Sequence, residues 1–347
     1  MKIFLVDLES VPTRYTCEWK WHVPALLRDN EFDVEVIEGD LDIPTAVTPG
    51  AFLNFGGTNM YKATQTHRLA ELFTRGEIKA GDHIIFTDAW HPGIINVKYM
   101  SELLNIPVIT HGLWHAGSYD PNDFLGRLIG DKPWIRHAEQ SFIASYDHNW
   151  IASIAHHKLI QQTYNIKHDR SWDRTGWPME YTRNIIKTCE FTKKENIIVF
   201  PHRIAPEKRL DLFNELAKKP ELSHYQFIVA MDMNLTKQQY HKLLQRARFS
   251  VSFAEQETLG ISMYESACAG ACPIVPDDLS YTEMYPITFR YNNQNDLKCI
   301  DNVTKLILKY EHTNLTSDIL DLVTKLHKNY FSATHLIDIL NSYDTTK

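Results

Sequence analysis

The stretch Phe253-Ala-Glu-Gln-Glu257-Thr-Leu-Gly260-Ile-Ser-Met-Tyr-Glu265-Ser-Ala-Cys-Ala-Gly270-Ala-Cys-Pro-Ile-Val-Pro-Asp277 decides how this chain folds. It opens on the end of an apolar run, residues 249–253, with the composition of a buried strand. A loop carrying Glu257 and Gly260 follows, then small and apolar residues over 262–269 that read as a helix. The turn at Gly270 leads into a second apolar run at 273–275. Strand, loop, helix and strand on short connections form the repeating unit of a parallel sheet. A helix that opens at a glycine offers unpaired backbone N–H groups and a positive dipole end, and the missing side chain lets a ligand come close. A diphosphate suits that position. Glu265 falls about one and a half turns into the helix, where a carboxylate can accept hydrogen bonds from a ribose diol.

The same alternation extends in both directions. Before the quoted stretch, residues 197–200 and 227–230 read as strands and 237–247 as a helix. Phe200-Pro-His-Arg203-Ile-Ala-Pro-Glu-Lys208 follows the first of these strands. Two cations there can neutralise the charge that develops on a diphosphate leaving group. Further upstream, 3–6, 34–37, 83–87 and 107–110 read as strands, with helices at 19–28, 61–74 and 96–104. Residues 142–145 read as another strand, and Asp147 as the N-cap of a helix over 150–164. The polar run 167–195 marks a linker. The expected boundaries are an N-terminal domain at 1–178, a linker at 179–195, a C-terminal domain at 196–330 and a closing helix and tail at 331–347.

Composition narrows the class. The chain has 347 residues, of which 44% are hydrophobic and 23% charged, as in an ordinary globular protein. Residues 1–175 hold 16 Lys and Arg against 22 Asp and Glu, and the whole chain carries −7, so an anionic partner must meet a local patch. Five cysteines (Cys17, Cys189, Cys268, Cys272 and Cys299) form no CxxC pair, which argues against a disulfide framework or zinc site. A cytoplasmic setting, the host's if the chain is phage-encoded, fits this usage. The opening apolar run is too short for a signal peptide, and nothing approaches a membrane span.

With these motifs in place, the C-terminal half resembles the GT-B glycosyltransferases whose donor motif is two glutamates separated by seven residues. Glu257 and Glu265 match that spacing. The small-residue run 267–271 before Pro273-Ile-Val, and Glu283 further on, fall where the family has its next features. Arg203 and Lys208 match its cationic pair, and Tyr330-Phe-Ser-Ala-Thr-His-Leu-Ile-Asp-Ile-Leu340 is similar to its last helix. The resemblance implies two Rossmann-like α/β domains facing a cleft, with the last helix crossing back to the first. It also implies a nucleotide-sugar donor, a UDP-sugar foremost, held by Arg203, Lys208, Thr258, Leu259, Gly260 and Glu265. No DxD-type motif adjoins a donor strand, since Asp7-Leu-Glu9 and Asp277-Asp278 are poor candidates. The expectation is metal-independent chemistry without a cofactor, the cations and helix dipole taking the metal's role.

Asn54-Phe-Gly-Gly57 and Ile85-Phe-Thr-Asp88-Ala-Trp-His-Pro92 resemble segments of the T-even-like phage enzymes that glycosylate 5-hydroxymethylcytosine in DNA. In the β-glucosyltransferase of that group the matching aspartate is the catalytic base, which implies that role for Asp88. A carboxylate at the end of a parallel strand is well placed to take a hydroxyl proton; an N-cap for the following helix is the alternative. His111 in Thr110-His-Gly112 resembles a donor-sugar histidine of the two-glutamate families, and Trp114, His115 and the segment to Asp120 are expected to line the site. Those families retain the anomeric configuration, with Glu257 beside the sugar, whereas an Asp88 base implies inversion.

The expected function is transfer of a sugar, glucose or arabinose in type, to a 5-hydroxymethylpyrimidine in phage DNA. A saccharide, protein or lipid-linked acceptor is the alternative. Reaching a base in double-stranded DNA requires extruding it. Arg14, Trp19, Lys20, Trp90, Arg127, Lys132 and Arg136 are available for that, with Arg14, Trp90 and His115 the foremost acceptor contacts. A non-catalytic binding module on the same fold is a third reading.

Overall fold

The computed structural model describes residues 1–12, 14–46, 53–166, 172–186 and 194–343. They divide into two compact units. The first comprises Met1–Ala152, His157–Pro178 and Ala333–Lys347, and the second Ser153–His156 and Met179–Ser332.

The first unit is built on a six-stranded parallel sheet. Its strands are β1 (Lys2–Val6), β2 (Asp33–Ile37), β3 (His83–Phe86), β4 (Ile109–Leu113), β5 (His148–Ile151) and β6 (Trp172–Arg174), in the order β2-β1-β3-β4-β5-β6. β1 beyond Lys2 and β3 beyond His83 are continuously apolar because helices cover both faces. Ile3, Phe4, Ile84 and Phe86 are fully buried. The connecting helices are α1 (Tyr15–Asp29), α2 (Phe55–Thr74), α3 (Gly93–Leu103), α4 (Phe124–Ile129), α5 (Pro133–Ser145) and α6 (Ile154–Tyr164). Asn54 opens α2 by accepting the Gly57 N–H at 2.8 Å, so the Asn-Phe-Gly-Gly segment is a helix cap.

The second unit has a five-stranded parallel sheet: β7 (Glu195–Phe200), β8 (Gln226–Val229), β9 (Ala247–Val251), β10 (Cys272–Pro276) and β11 (Arg290–Tyr291), in the order β11-β10-β9-β7-β8. Its helices are α7 (Tyr181–Ile185), α8 (Leu210–Leu216), α9 (Lys237–Arg246), α10 (Ile261–Cys268), α11 (Tyr281–Met284), α12 (Asp296–Tyr310) and α13 (Thr316–Tyr330). The last helix, α14 (Thr334–Asn341), belongs to the first unit. In both sheets the chain order reverses at one point, between β1 and β3 and between β7 and β9. Open α/β sheets place ligands at the carboxyl ends of the strands flanking such a reversal.

Three local expectations change. Residues 142–145 belong to α5, whose buried positions Ile135, Glu139, Phe142 and Ile143 follow helical spacing. Asp147 caps no helix; its carboxylate accepts from the Thr110 N–H at 2.8 Å and from Lys98 Nζ at 2.8 Å, and 148–151 form β5. Tyr181–Ile185 are helical where a polar linker is expected, with Tyr181 and Thr182 buried. The rest of that stretch, 167–171 and 187–193 with Cys189, lies outside the described residues. No helix among the described residues is long and apolar enough to cross a membrane.

Candidate active site

In the second unit the loops after β7 and β9 meet at the reversal point. The β7 loop carries His202, Arg203 and a turn of 3-10 helix, Pro206–Lys208. It is tied to the β9 loop by the Glu255 N–H donating to the Glu207 carbonyl at 2.8 Å. Lys208 reaches across to donate from Nζ to Glu257 Oε2 at 3.0 Å and to the Gln256 carbonyl. Its side chain is only 7% exposed, so this ion pair sits in a medium that screens it poorly. Burial pushes the Glu257 carboxyl up, but the Lys208 charge, then His202 and the Gly260 N–H, outweigh it and hold the group below its ordinary value. Glu257 is therefore an anion here, and Lys208 is its counter-charge.

Arg203 Nη2 donates to the buried Glu207 carboxylate at 2.5 Å while about a third of the arginine side chain stays exposed. His202 was not singled out by sequence, yet it stands beside this group. Its Nδ1 pairs with Ser262 Oγ at 3.1 Å, and burial, followed by Lys208, lowers its pKa to about 3. It is neutral at physiological pH. Its position directly before Arg203 was the available signal.

Gly260 is the N-cap of α10 with φ of 68°, a left-handed conformation that disfavours any side chain. A Cβ there would stand 2.8 Å from Tyr281 Cε1. Gly260→Ala is accordingly expected to cost about 1–2 kcal/mol from the backbone alone, lowering the melting temperature by several degrees. Thermal denaturation checks this, and an alanine variant with unchanged melting counts against the strain. Thr258 uses its carbonyl to accept Ser153 Oγ at 3.3 Å. Leu259 is buried, so only its backbone is available to a ligand.

Glu265 projects from α10 toward α9, with His241 Nε2 3.8 Å away. Burial, and then the Glu265 carboxylate, push the Tyr240 hydroxyl up. The carboxylate thus already has neighbours where a ribose diol was expected. Glu283 accepts the Ala155 N–H at 2.9 Å, at the start of α6.

In the first unit Asp88 sits just beyond β3, at the other reversal point. Lys62 Nζ donates to its Oδ2 at 2.8 Å and the Trp90 N–H to its Oδ1 at 3.1 Å. Burial raises the Asp88 pKa, but Lys62, then His115, more than compensate, and the carboxyl lies below its ordinary value. Asp88 is not the cap of α3, which begins after Pro92. Beside it, His115 pairs through Nε2 with the Thr87 carbonyl and through Nδ1 with the Tyr15 hydroxyl, both at 2.6 Å. The carbonyl only accepts, so His115 carries its proton on Nε2 and takes the Tyr15 proton at Nδ1. Arg14 lies over the Tyr15 ring, 5.8 Å from its centroid. The Trp90 indole N–H is taken by Glu139 at 2.8 Å.

His111 is corrected. It lies inside β4, fully buried, with its ring stacked on His83 and His148 and its Nε2 2.8 Å from His83 Nδ1. A sugar has no access to it there. The histidine at the carboxyl end of this strand is His115. Trp114 is likewise a core residue, fully buried, with its indole N–H on Asn149 Oδ1 at 2.8 Å. Among the described residues no group of three or more His, Cys, Asp or Glu gathers as a metal site.

No family model matches the chain. A segment of 64 residues is 38% identical to tRNA-queuosine alpha-mannosyltransferase of Drosophila melanogaster, covering 18% of this chain and 17% of that protein. Solved structures match over the full length. Sucrose-phosphate synthase from Thermosynechococcus elongatus superposes with a TM-score of 0.66 at 10% identity, covering 100% of both chains. Anabaena HepE, solved with UDP, gives 0.62 at 10% identity over 99% of this chain and 100% of that one. The catalytic domain of starch synthase IV from Arabidopsis thaliana, bound to ADP and acarbose, gives 0.62 at 11% identity over 99% of each. Two parallel α/β units, each with its loops converging at a reversal of strand order, give this chain the GT-B architecture of those structures.

Proposed function

We propose that the chain is a glycosyltransferase that moves a sugar from a nucleoside diphosphate sugar, a UDP-sugar first, to a hydroxyl carried on a nucleic-acid base. A 5-hydroxymethylpyrimidine of phage DNA is the leading acceptor. The observation that carries this reading is the buried Lys208–Glu257 pair before the Gly260 end of α10, with Arg203 on the same loop as Lys208. Departure of a nucleoside diphosphate places growing negative charge on phosphate oxygens. Prearranged cations and helix N–H groups stabilise that charge most when water is excluded. The UDP and ADP in HepE and starch synthase IV support a nucleotide donor, and the local likeness to an enzyme named for a tRNA base supports a nucleic-acid acceptor.

Asp88, at the carboxyl end of β3 and held ionised, is the proposed acceptor-side carboxylate. The cations do the work of a metal in this scheme, so EDTA is expected to leave the rate unchanged. The deciding experiment incubates the protein with a panel of nucleotide sugars and hydroxymethylated duplex DNA, unmodified duplex, tRNA or oligosaccharide, followed by nucleoside mass analysis. A sugar-sized mass gain confined to hydroxymethylated DNA is the expected result. Gain on tRNA alone moves the acceptor to RNA, and gain only on oligosaccharide overturns the nucleic-acid reading.

A further inference from the structure

Glu139 is a carboxylate where packing alone calls for an apolar side chain. It lies on the inward face of α5 with Ile135, Phe142 and Ile143, and it is fully buried. Taking a carboxylate out of water is costly, and an apolar residue of similar volume would cover this face at less cost. Its two oxygens instead gather three segments of chain. Oε1 accepts from the Trp90 indole N–H at 2.8 Å and the Ser118 N–H at 2.7 Å, and Oε2 from Ser118 Oγ at 3.0 Å and from the Tyr164 hydroxyl. Trp90 stands in the loop after β3, Ser118 in the loop after β4 and Tyr164 at the end of α6.

The Trp90 side of this network reaches Asp88 by two routes. The Trp90 N–H donates to Asp88 Oδ1 at 3.1 Å, and the Trp90 carbonyl accepts from Lys62 Nζ, the group that also donates to Asp88 Oδ2 at 2.8 Å. The Trp90 side chain anchors that backbone, its N–H on Glu139 and its ring edge-on to Phe142 with centroids 5.7 Å apart. The other titratable groups facing Asp88 are Tyr15 of α1, His91 of its own loop, His115 of the loop after β4 and Tyr146 directly after α5. Burial lowers both histidines, His91 to about 3, and raises both tyrosines. Lys62 is therefore the principal charge against which Asp88 titrates.

We propose that Glu139 is a positioning residue for the acceptor-side carboxylate: its hold on the Trp90 indole fixes the Trp90 N–H and carbonyl that seat Asp88 and Lys62. The inference rests on the reading of Asp88 given above, and its test includes a readout that needs no turnover. The titration of Asp88 is followed by NMR of protein with isotope-labelled aspartate side chains, the signal being assigned by its loss in Asp88→Asn. Glu139→Gln removes an anion, which by charge alone lowers the Asp88 pKa, whereas loosened contacts from Trp90 and Lys62 raise it. Trp90→Phe cuts the same bond with the Glu139 charge in place, and it decides alone if Glu139→Gln does not fold. In both variants Asp88 should titrate at higher pH than in the parent, and kcat should fall about 10²-fold, as for a misplaced reacting group, with donor KM unchanged. The double variant should be no worse than the more affected single one, since one bond is cut twice. Leu27→Ala, a cavity under α1 where Leu27 is buried, reports destabilisation alone and should melt early with the Asp88 titration unmoved. A titration that stays put in Trp90→Phe, or that stays put or moves down in Glu139→Gln, overturns the inference even if activity falls together with the melting temperature. An upward shift in both variants, with a transfer rate that does not depend on Asp88, upholds the positioning and removes the base reading instead.

Discussion

Lys208→Met is expected to lower kcat/KM for sugar transfer by about 10²–10³-fold or more, the loss typical of removing one group aimed at developing charge. Two effects combine. The leaving diphosphate loses its most buried cation, and Glu257 loses the partner that keeps it ionised. Breaking a buried pair from one side costs about 3–5 kcal/mol, so this variant is also expected to melt early. The pH dependence identifies the cause. In the parent the Glu257 pKa lies below its unfolded value, so its contribution is present above that value and lost as pH falls through the folded pKa. Without Lys208 the upward push of burial meets only His202 and the Gly260 N–H, so the folded pKa rises and the stability gained by ionising the carboxyl shrinks. The melting gap to the parent therefore widens as pH rises through the range in which the parent carboxyl ionises. Lys208→Met combined with Glu257→Gln should close most of that gap and restore no activity. A Lys208→Met protein that transfers sugar within a few-fold of the parent would remove the pair from the mechanism.

The parts of this site that were legible in sequence are those where local chemistry and tertiary demand agree. A buried strand, a glycine and a helix of small residues permit few arrangements, so Gly260 was expected at the helix start and adopts the left-handed turn there. Arg203 and Lys208 were readable as cations after a strand. That Lys208 spends its charge on Glu257 was not, because the contact joins residues 49 apart and depends on β7 lying beside β9.

The misreadings have the same origin. Phe142-Ile-Ala-Ser is an apolar run whose length suits a strand or the end of a helix, and Glu139, polar yet fully buried, hides the helical face. Thr110-His-Gly112 suggests a turn, but Gly112 is inside β4, paired with Phe86 of β3 and Asn149 of β5, and it is a glycine because the Tyr146 ring lies against it; a Cβ there would be 2.6 Å from Tyr146 Cε2. The strand therefore runs on to Leu113, and His111 faces the core among His83 and His148. Glu139 itself, accepting from Trp90 and Ser118, acts through contacts that no spacing records.

Asp88→Asn is expected to reduce kcat by about 10²–10⁴-fold, the range for loss of a positioned base, with donor KM little changed and an inverted anomer in the parent product. The asparagine keeps the shape and the acceptor oxygen for the Trp90 N–H but turns an amide N–H toward Lys62 Nζ, so melting curves accompany the kinetics: a purely structural role predicts a loss of activity that tracks lowered stability and is shared by KM. Lys62 supplies a second, independent readout. It is the largest influence lowering the Asp88 pKa, against the upward push of burial, so the parent's acid limb of kcat should lie below the ordinary carboxylate range. In Lys62→Met, burial is left with weaker opposition from His115 and the Trp90 N–H, the pKa rises, and that limb should move to higher pH. Above the limb, the more basic carboxylate accepts a proton more readily, which offsets part of the lost ionisation. Retention of the anomer, with kcat in Asp88→Asn within a few-fold of the parent and an acid limb indifferent to Lys62, would instead make Asp88 a strut for the β3 loop. The transfer step would then proceed on the donor side alone, with Glu257 as the carboxylate beside the sugar.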